Sequence, residues 1–319
     1  MNPVPTSKPL TIVVAINPSA SFGKNRGVGE TVVGRLRAAG HTVTSLQEPN
    51  FARLIEAAAL AVARKPDALV VVGGDGMVSL GVNLLATGDV PLGIVPTGTG
   101  NDMARGLGIP VGDTDAAITG LLDYLTRPAR AIDAGRIRHT DDAGRGQTTW
   151  FACVLSAGFD AIVNERANNL RRPRGKSRYL VALVIELARL RPIRYRVVLD
   201  GVATTTDAML VAVGNNRSIG GGMRLTPDAL VDDGLFDVLI VTPLSRIAFL
   251  RVFPRVFAGT HLGHPAVTIH RASAVRIEAD DVAAYADGER VSLLPVDIEI
   301  VPGALRVLMP ESAPSVGRT

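Results

Sequence analysis

The stretch Ala68-Leu-Val-Val-Val-Gly-Gly-Asp-Gly-Met-Val-Ser79, answered by Leu92-Gly-Ile-Val-Pro-Thr-Gly-Thr-Gly-Asn-Asp102, decides the fold. Each begins as a short, β-branched apolar run, as a strand buried on both faces of a parallel sheet requires. Each then stops at glycine. After the first stop Val78, Val82 and Leu85 recur near helical spacing, so Gly73-Gly74-Asp75-Gly76 falls where a strand ends and a helix begins. Glycine at that point tolerates positive φ and lets a phosphate reach the backbone, while the helix N-terminus offers N–H groups and partial positive charge. A single glycine turn is ordinary punctuation in an α/β protein. Two of them one βα unit apart, the second carrying Thr97, Gly98, Thr99 and the Asn101-Asp102 pair, would share one sheet edge and form a nucleotide phosphate pocket.

Outward from these turns the pattern is a strict β/α alternation. Strands are expected at Thr11–Ile16, His41–Leu46, Ala68–Val72 and Pro91–Val95, and helices at Gly27–Ala39, Phe51–Arg64, Met77–Ala86, Asn101–Leu107 and Thr114–Leu125. Residues 1–130 therefore read as a parallel α/β nucleotide-binding domain. From Ala131 the runs become mostly strands: Ile132–Arg138, Thr148–Ser156, Tyr195–Leu199, Ala208–Val213, Phe236–Val241, Val267–His270, Ala274–Glu278 and Val296–Val301. This implies a C-terminal antiparallel, β-sandwich-like domain over 131–303 with a few helices, at about Arg178–Leu190 and Leu244–Ala258, the latter kinked or ended by Pro254.

Composition narrows the classes. A chain of 319 residues with 47% hydrophobic content buries a large core and is not disordered. Its one cysteine, Cys153, lies in an apolar run, which excludes an intrachain disulfide and suits a reducing, cytoplasmic setting. The first apolar run, Leu10–Ile16, is too short for a secretory core, and Tyr179–Leu190 falls well below the roughly 20 residues of a bilayer span. Net charge is +4, but Arg166 to Arg196 holds ten basic residues against one acid, Glu186. That run reads either as a solvated face or as an attraction to an anionic membrane surface. Without interleaved aromatics it argues against nucleic acid. The five histidines show no paired ligand spacing beyond the loose His261/His264 couple and are assigned no metal.

Asn17-Pro18-Ser19, Gly73-Gly-Asp-Gly76, Pro96-Thr-Gly-Thr-Gly-Asn-Asp-Met-Ala-Arg105 and Asp287-Gly-Glu289 occur in the order found in the diacylglycerol kinase catalytic-domain family. From about Ile12 to about Leu308 the sequence resembles a soluble bacterial lipid kinase. The resemblance implies ATP- and Mg2+-dependent phosphorylation of a lipid hydroxyl, with diacylglycerol the first acceptor and sphingoid bases, ceramide or another glycolipid as alternatives. It implies that Asn17, Gly73, Gly74, Asp75, Gly76, Met77, Val78, Ser79 and Thr99 contact the nucleotide. Met77 and Ser79 stand where the family usually has threonine and asparagine, so only a backbone role carries over there. Glu48 replaces a threonine.

The same resemblance puts Asp75 and Asp133 in a metal–water network, makes Glu289 the base for the acceptor hydroxyl with Asp287 assisting, and gives Leu230, Asp233 and Leu235 a structural magnesium. Each has a plainer reading: a helix N-cap for Asp75, ordinary turns for Asp133 and Asp232-Asp233-Gly234, a hairpin turn for Asp287-Gly288. No Walker lysine is present, which leaves main-chain donors and threonine hydroxyls to hold the phosphates, with Lys24 or Arg26 either assisting or lying in a solvated loop. The resemblance further implies that residues 304–319 return to the first domain before a tail, a peripheral contact with the membrane, and a homodimer. Two rival functions remain at this point, an NAD kinase, whose Asn-Glu partner motif is missing, and a catalytically silent nucleotide-binding protein.

Overall fold

The computed structural model describes residues 8–17, 27–141, 143–158 and 191–311. Pro18, Ser19, Lys24, Arg26, the expected helix Arg178–Leu190, most of the basic run and the tail beyond Glu311 lie outside the described residues. The described chain divides into two compact units, one running to Ile132 and resuming at Gly303, the other from Asp133 to Pro302.

In the first unit, β1 (Thr11–Ile16), β2 (Thr42–Leu46), β3 (Ala68–Gly73) and β4 (Leu92–Pro96) form a parallel sheet in the order β2-β1-β3-β4. Both faces are covered. Helices α1 (Val28–Ala38) and α5 (Thr114–Tyr124) bring Val32, Leu36, Ile118 and Leu121 onto the face made by Ile12, Val14, Val70 and Val72. Against the sheet also lies α3 (Asp75–Leu85), so close that a Cβ on Gly81 would stand 2.6 Å from Leu92 Cδ1. The helices α2 (Phe51–Val62) and α5 begin where the sequence supplies a cap: Asn50 accepts the Arg53 N–H and Asp113 the Ala116 N–H. A short α4 (Asp102–Gly106) follows the second glycine turn. The far end of β16 (Val296–Val307) completes this unit, pairing Val307 with Leu92 in parallel.

The second unit is a sandwich. One layer carries β8 (Ile193–Leu199), β9 (Val202–Ala208), β13 (Ala274–Glu278) and the first part of β16, joined by β5 (Arg130–Thr140) and β6 (Gly146–Phe151). The other is antiparallel, in the order β12-β11-β10-β7-β14-β15, from Val267–Ala272, Phe236–Val241, Leu210–Gly214, Val154–Gly158, Ala283–Ala286 and Glu289–Leu293. Residues spaced by two, such as Tyr195 and Val197, Val211 and Val213, Val275 and Ile277, Val296 and Ile298, point inward and share one core, with Phe151 and Phe236 stacked 5.7 Å apart.

Two expected elements are divided. Thr148–Ser156 is not one strand: Ala152-Cys153 forms a corner that sends β6 and β7 into different layers. Leu244–Ala258 becomes α6 (Arg246–Val252), capped by Ser245, and α7 (Arg255–Ala258), with the break at Pro254, which has no N–H to continue the first helix.

Candidate active site

The two glycine turns are packed against each other. A Cβ on Gly98 would lie 2.4 Å from the Gly74 Cα, and one on Gly100 would lie 2.2 Å from Asp75 Oδ2. No side chain fits in either place. Gly73 and Gly74 adopt no positive φ; the strained left-handed residue of the pair of turns is Asn101, at φ 57°. Close approach, and not the positive φ expected from the sequence, is what demands glycine here.

Asp75 joins the turns. As the first residue of α3 it accepts the Asn101 N–H on Oδ2 (3.0 Å) and the Asp102 N–H on Oδ1 (2.8 Å), while Gly74, not Asp75, occupies the cap position. Asn101 closes its own turn, accepting the Gly98 N–H and donating Nδ2 to the Gly98 carbonyl. The Thr97 N–H donates to Gly73 and the Asn17 N–H to Val72, so Asn17 stands beside Gly73 at the same sheet edge. Thr99 is exposed. Met77 and Val78 are buried and both donate their N–H to the Gly74 carbonyl, which engages them in the first turn of α3. Ser79 gives its carbonyl to Asn83 Nδ2.

Burial, and then the charge of buried Asp102, hold the Asp75 carboxyl above the usual carboxylate range, despite its N–H donors. Two acids flanking Gly100 with one of them disfavoured as an anion are a donor set suited to a hard divalent cation, whose charge would reverse that penalty.

The second unit holds the remaining expected residues. Asp287 (φ 50°) and Gly288 (φ 87°) form the two-residue turn between β14 and β15, both with positive φ as a type I′ hairpin requires. The Asp287 carboxylate is buried and accepts three backbone N–H groups, from Ala152 (2.9 Å), Cys153 (2.9 Å) and Val154 (3.1 Å). Its geometry is that of a positioning residue: it ties the hairpin to the β6–β7 corner. Glu289, the first residue of β15, is exposed, so of the two acids it is the one that presents its carboxylate to solvent. Replacing Asp287 with alanine strands three buried donors and is expected to cost about 2–4 kcal/mol of stability in urea unfolding, with asparagine recovering part of it.

Asp133 is buried in β5; its carboxylate accepts the Gly234 N–H (2.7 Å) and its N–H donates to Val231 (2.7 Å), which anchors the 230–235 loop. Asn215-Asn216, which with Gly220-Gly-Gly222 suggests in the sequence a close backbone approach near the 230–235 loop, supplies the connector, Asn215. Fully buried, it donates Nδ2 to the carbonyls of Asp133 (2.9 Å) and Ala152 (3.1 Å), and its N–H and that of Asn216 both reach the Cys153 carbonyl.

Leu230, Asp233 and Leu235 do not fit a cation as they stand. Asp233 is paired with the Arg271 guanidinium through Oδ2 and accepts the Leu235 N–H on Oδ1, so an arginine already neutralises the one carboxylate of that set. Among the described residues no cluster of three or more His, Cys, Asp or Glu gathers to hold a metal. Arg271 also approaches Asp237 (3.4 Å), whose carboxyl burial pushes up to about 6, with Arg271 opposing and Asp233 and Asp228 adding to the rise. The sign follows from linkage: the folded form holds this proton more tightly, so stability is full below the unfolded value near 4 and falls as pH rises through about 6. Asp237→Asn should therefore match the parent at pH 4 and exceed it by about 1–2 kcal/mol at pH 8 in urea unfolding.

An apolar pocket opens in the same unit, lined among others by Met209, Leu210, Leu239, Phe249, Phe253 and Val256.

Glycine turns clamped together at the carboxyl edge of a parallel sheet are an arrangement that phosphate-binding α/β domains use. Comparison with known proteins extends this: residues 11–137 match the diacylglycerol kinase catalytic domain and residues 153–309 the YegS C-terminal NAD kinase beta sandwich-like domain. A Mycobacterium tuberculosis protein named diacylglycerol kinase is 40% identical over 300 residues, 94% of this chain and 95% of that one. The Bacillus subtilis diacylglycerol kinase is 29% identical over 259 residues, 80% and 82% of the two chains. A crystal structure of a diacylglycerol kinase homologue from Bacillus anthracis shares the fold, with a TM-score of 0.72 at 23% identity over 95% of this chain and 97% of that one. The chain belongs to the diacylglycerol kinase-like lipid kinases and is a phosphotransferase. Among the described residues no helix is long and apolar enough to cross a membrane.

Proposed function

We propose that this kinase transfers the terminal phosphoryl group of magnesium-bound ATP to the free hydroxyl of diacylglycerol, yielding phosphatidic acid and ADP. The observation that carries the reading is the Asp75 clamp, which brings two glycine turns and two acids, half-buried Asp75 and buried Asp102, to one strand edge. The name borne by the 40%-identical relative supports the acceptor, and the apolar pocket supports it again by offering an acyl chain a place out of water.

In this reading the turns at Gly73–Gly76 and Thr97–Asn101 orient the triphosphate through main-chain groups and threonine hydroxyls, because no Walker lysine is available. Asp75 and Asp102 would hold the magnesium ion, which when bound neutralises charge on the phosphates. Glu289 accepts the proton of the acceptor hydroxyl as that oxygen bonds to the γ-phosphorus and the bond to ADP breaks. Asp287, by fixing the turn that precedes it, sets where Glu289 stands. Purified protein incubated with labelled ATP, magnesium and, separately, diacylglycerol, sphingosine, ceramide and NAD tests the reading. Label in phosphatidic acid is expected, and label only in another product would replace diacylglycerol as acceptor.

A further inference from the structure

Helices α6 and α7 are apolar on two sides. Inward, Phe249, Val252, Phe253 and Val256 line the pocket; outward, Ile247 (65% exposed), Leu250 (57%) and Phe257 (52%) face water. A soluble surface helix presents one apolar stripe and leaves the rest polar. An aromatic ladder links the two sides, since Phe249 stacks on Phe253 at 5.6 Å and Phe253 meets Phe257 edge-on at 6.1 Å. The polar residues interleaved with the exposed apolar ones are all cations, Arg246, Arg251 and Arg255, each exposed. No acid occurs in the sequence from Val238 to Ile277.

We infer that the α6–α7 face docks the protein on an anionic phospholipid bilayer, with Ile247, Leu250 and Phe257 entering the interface and the three arginines meeting lipid phosphates. This rests on the proposed acceptor being a lipid resident in a bilayer, and it adds which surface meets that bilayer. Charge selects this occupant. A second copy seated on the face by two-fold symmetry would set these arginines against their own counterparts, whereas an anionic lipid surface satisfies both the charge and the apolar groups at once. The other exposed apolar cluster, Phe51, Ile55 and Leu60 on α2, carries no such charge bias, because Arg53 there is paired with Glu56.

Vesicle sedimentation tests the inference, using phosphatidylcholine alone and phosphatidylcholine with phosphatidylglycerol. The wild type should partition onto the anionic vesicles and be released by salt. At roughly fivefold per charge, Arg246→Gln/Arg251→Gln/Arg255→Gln should weaken that partition about 100-fold. Ile247→Ser/Leu250→Ser should weaken binding at every salt concentration. Both variants should keep wild-type phosphorylation of a short-chain diacylglycerol dissolved as monomers. Leu250→Trp supplies a positive signal, a blue-shifted emission on adding anionic vesicles.

Variants that bind like the wild type, a tryptophan with no shift, or a serine pair that only converts a dimer to a monomer would overturn the docking face. A wild type that binds these vesicles but phosphorylates no diacylglycerol would strike the acceptor and leave the docking face standing.

Discussion

Glu289→Gln is expected to lower turnover by about 10²–10⁴-fold while nucleotide affinity and folding stay at parental values. An alcohol is a poor nucleophile at neutral pH, so the transfer is accelerated by a carboxylate placed to receive its proton, and glutamine keeps the shape while removing that capacity. Glu289 is exposed at the start of an edge strand, where loss of its charge disturbs no buried hydrogen bond. The variant should melt with the parent. Steady-state phosphorylation of diacylglycerol together with equilibrium nucleotide binding checks both halves, and turnover within a few-fold of the parent removes Glu289 from the chemistry. Asp287→Asn is the contrast: it acts through the buried corner at Ala152–Val154, so its loss of activity should be accompanied by a loss of stability.

The contrast also marks what the sequence carried. Strand–glycine–helix order and the change from βα alternation to successive strands are local, period-based signals, and the parallel sheet and the sandwich follow from them, whereas the order β2-β1-β3-β4 does not. The site's internal wiring is not local. Asp287 meets its donors across more than 130 residues, and Asp75 reaches Asn101 across 26. A motif therefore named these acids, with Glu289 as base and Asp287 assisting, but not the distant backbone donors that hold Asp287.

Strands β9 and β15 were missed for a different reason. Val202-Ala-Thr-Thr-Thr-Asp-Ala208 and Glu289-Arg-Val-Ser-Leu293 lie at sheet edges, where a largely exposed strand shows little apolar contrast. The Ala152-Cys153 corner was invisible because both residues are buried and apolar, so nothing in composition interrupts the run from Trp150 to Leu155. The reason for the paired glycines was likewise hidden, since backbone-to-backbone contact between Gly74 and Gly98 leaves no mark that a positive φ would not leave equally.

Asp75→Asn separates the two jobs of the clamp. Asparagine retains one acceptor for the Asn101 and Asp102 N–H groups and loses the other, which alone would cost about 1–2 kcal/mol. It also removes the repulsion from Asp102 and the burial of a charge, the two causes that raise the Asp75 pKa. A carboxylate whose folded pKa is raised has its stability fully present below the unfolded value and loses it as pH climbs through the folded one, so the parent should weaken on that rise. The variant should show a flatter stability–pH profile and a neutral-pH stability close to the parent's. Turnover is expected to fall by about 10²–10³-fold, because the amide cannot supply the charge that holds a magnesium–nucleotide complex at the glycine turns. Magnesium-dependent nucleotide binding gives the decisive readout: affinity that becomes insensitive to magnesium assigns Asp75 to the ion, whereas unchanged magnesium dependence with reduced stability would confine it to joining the two turns.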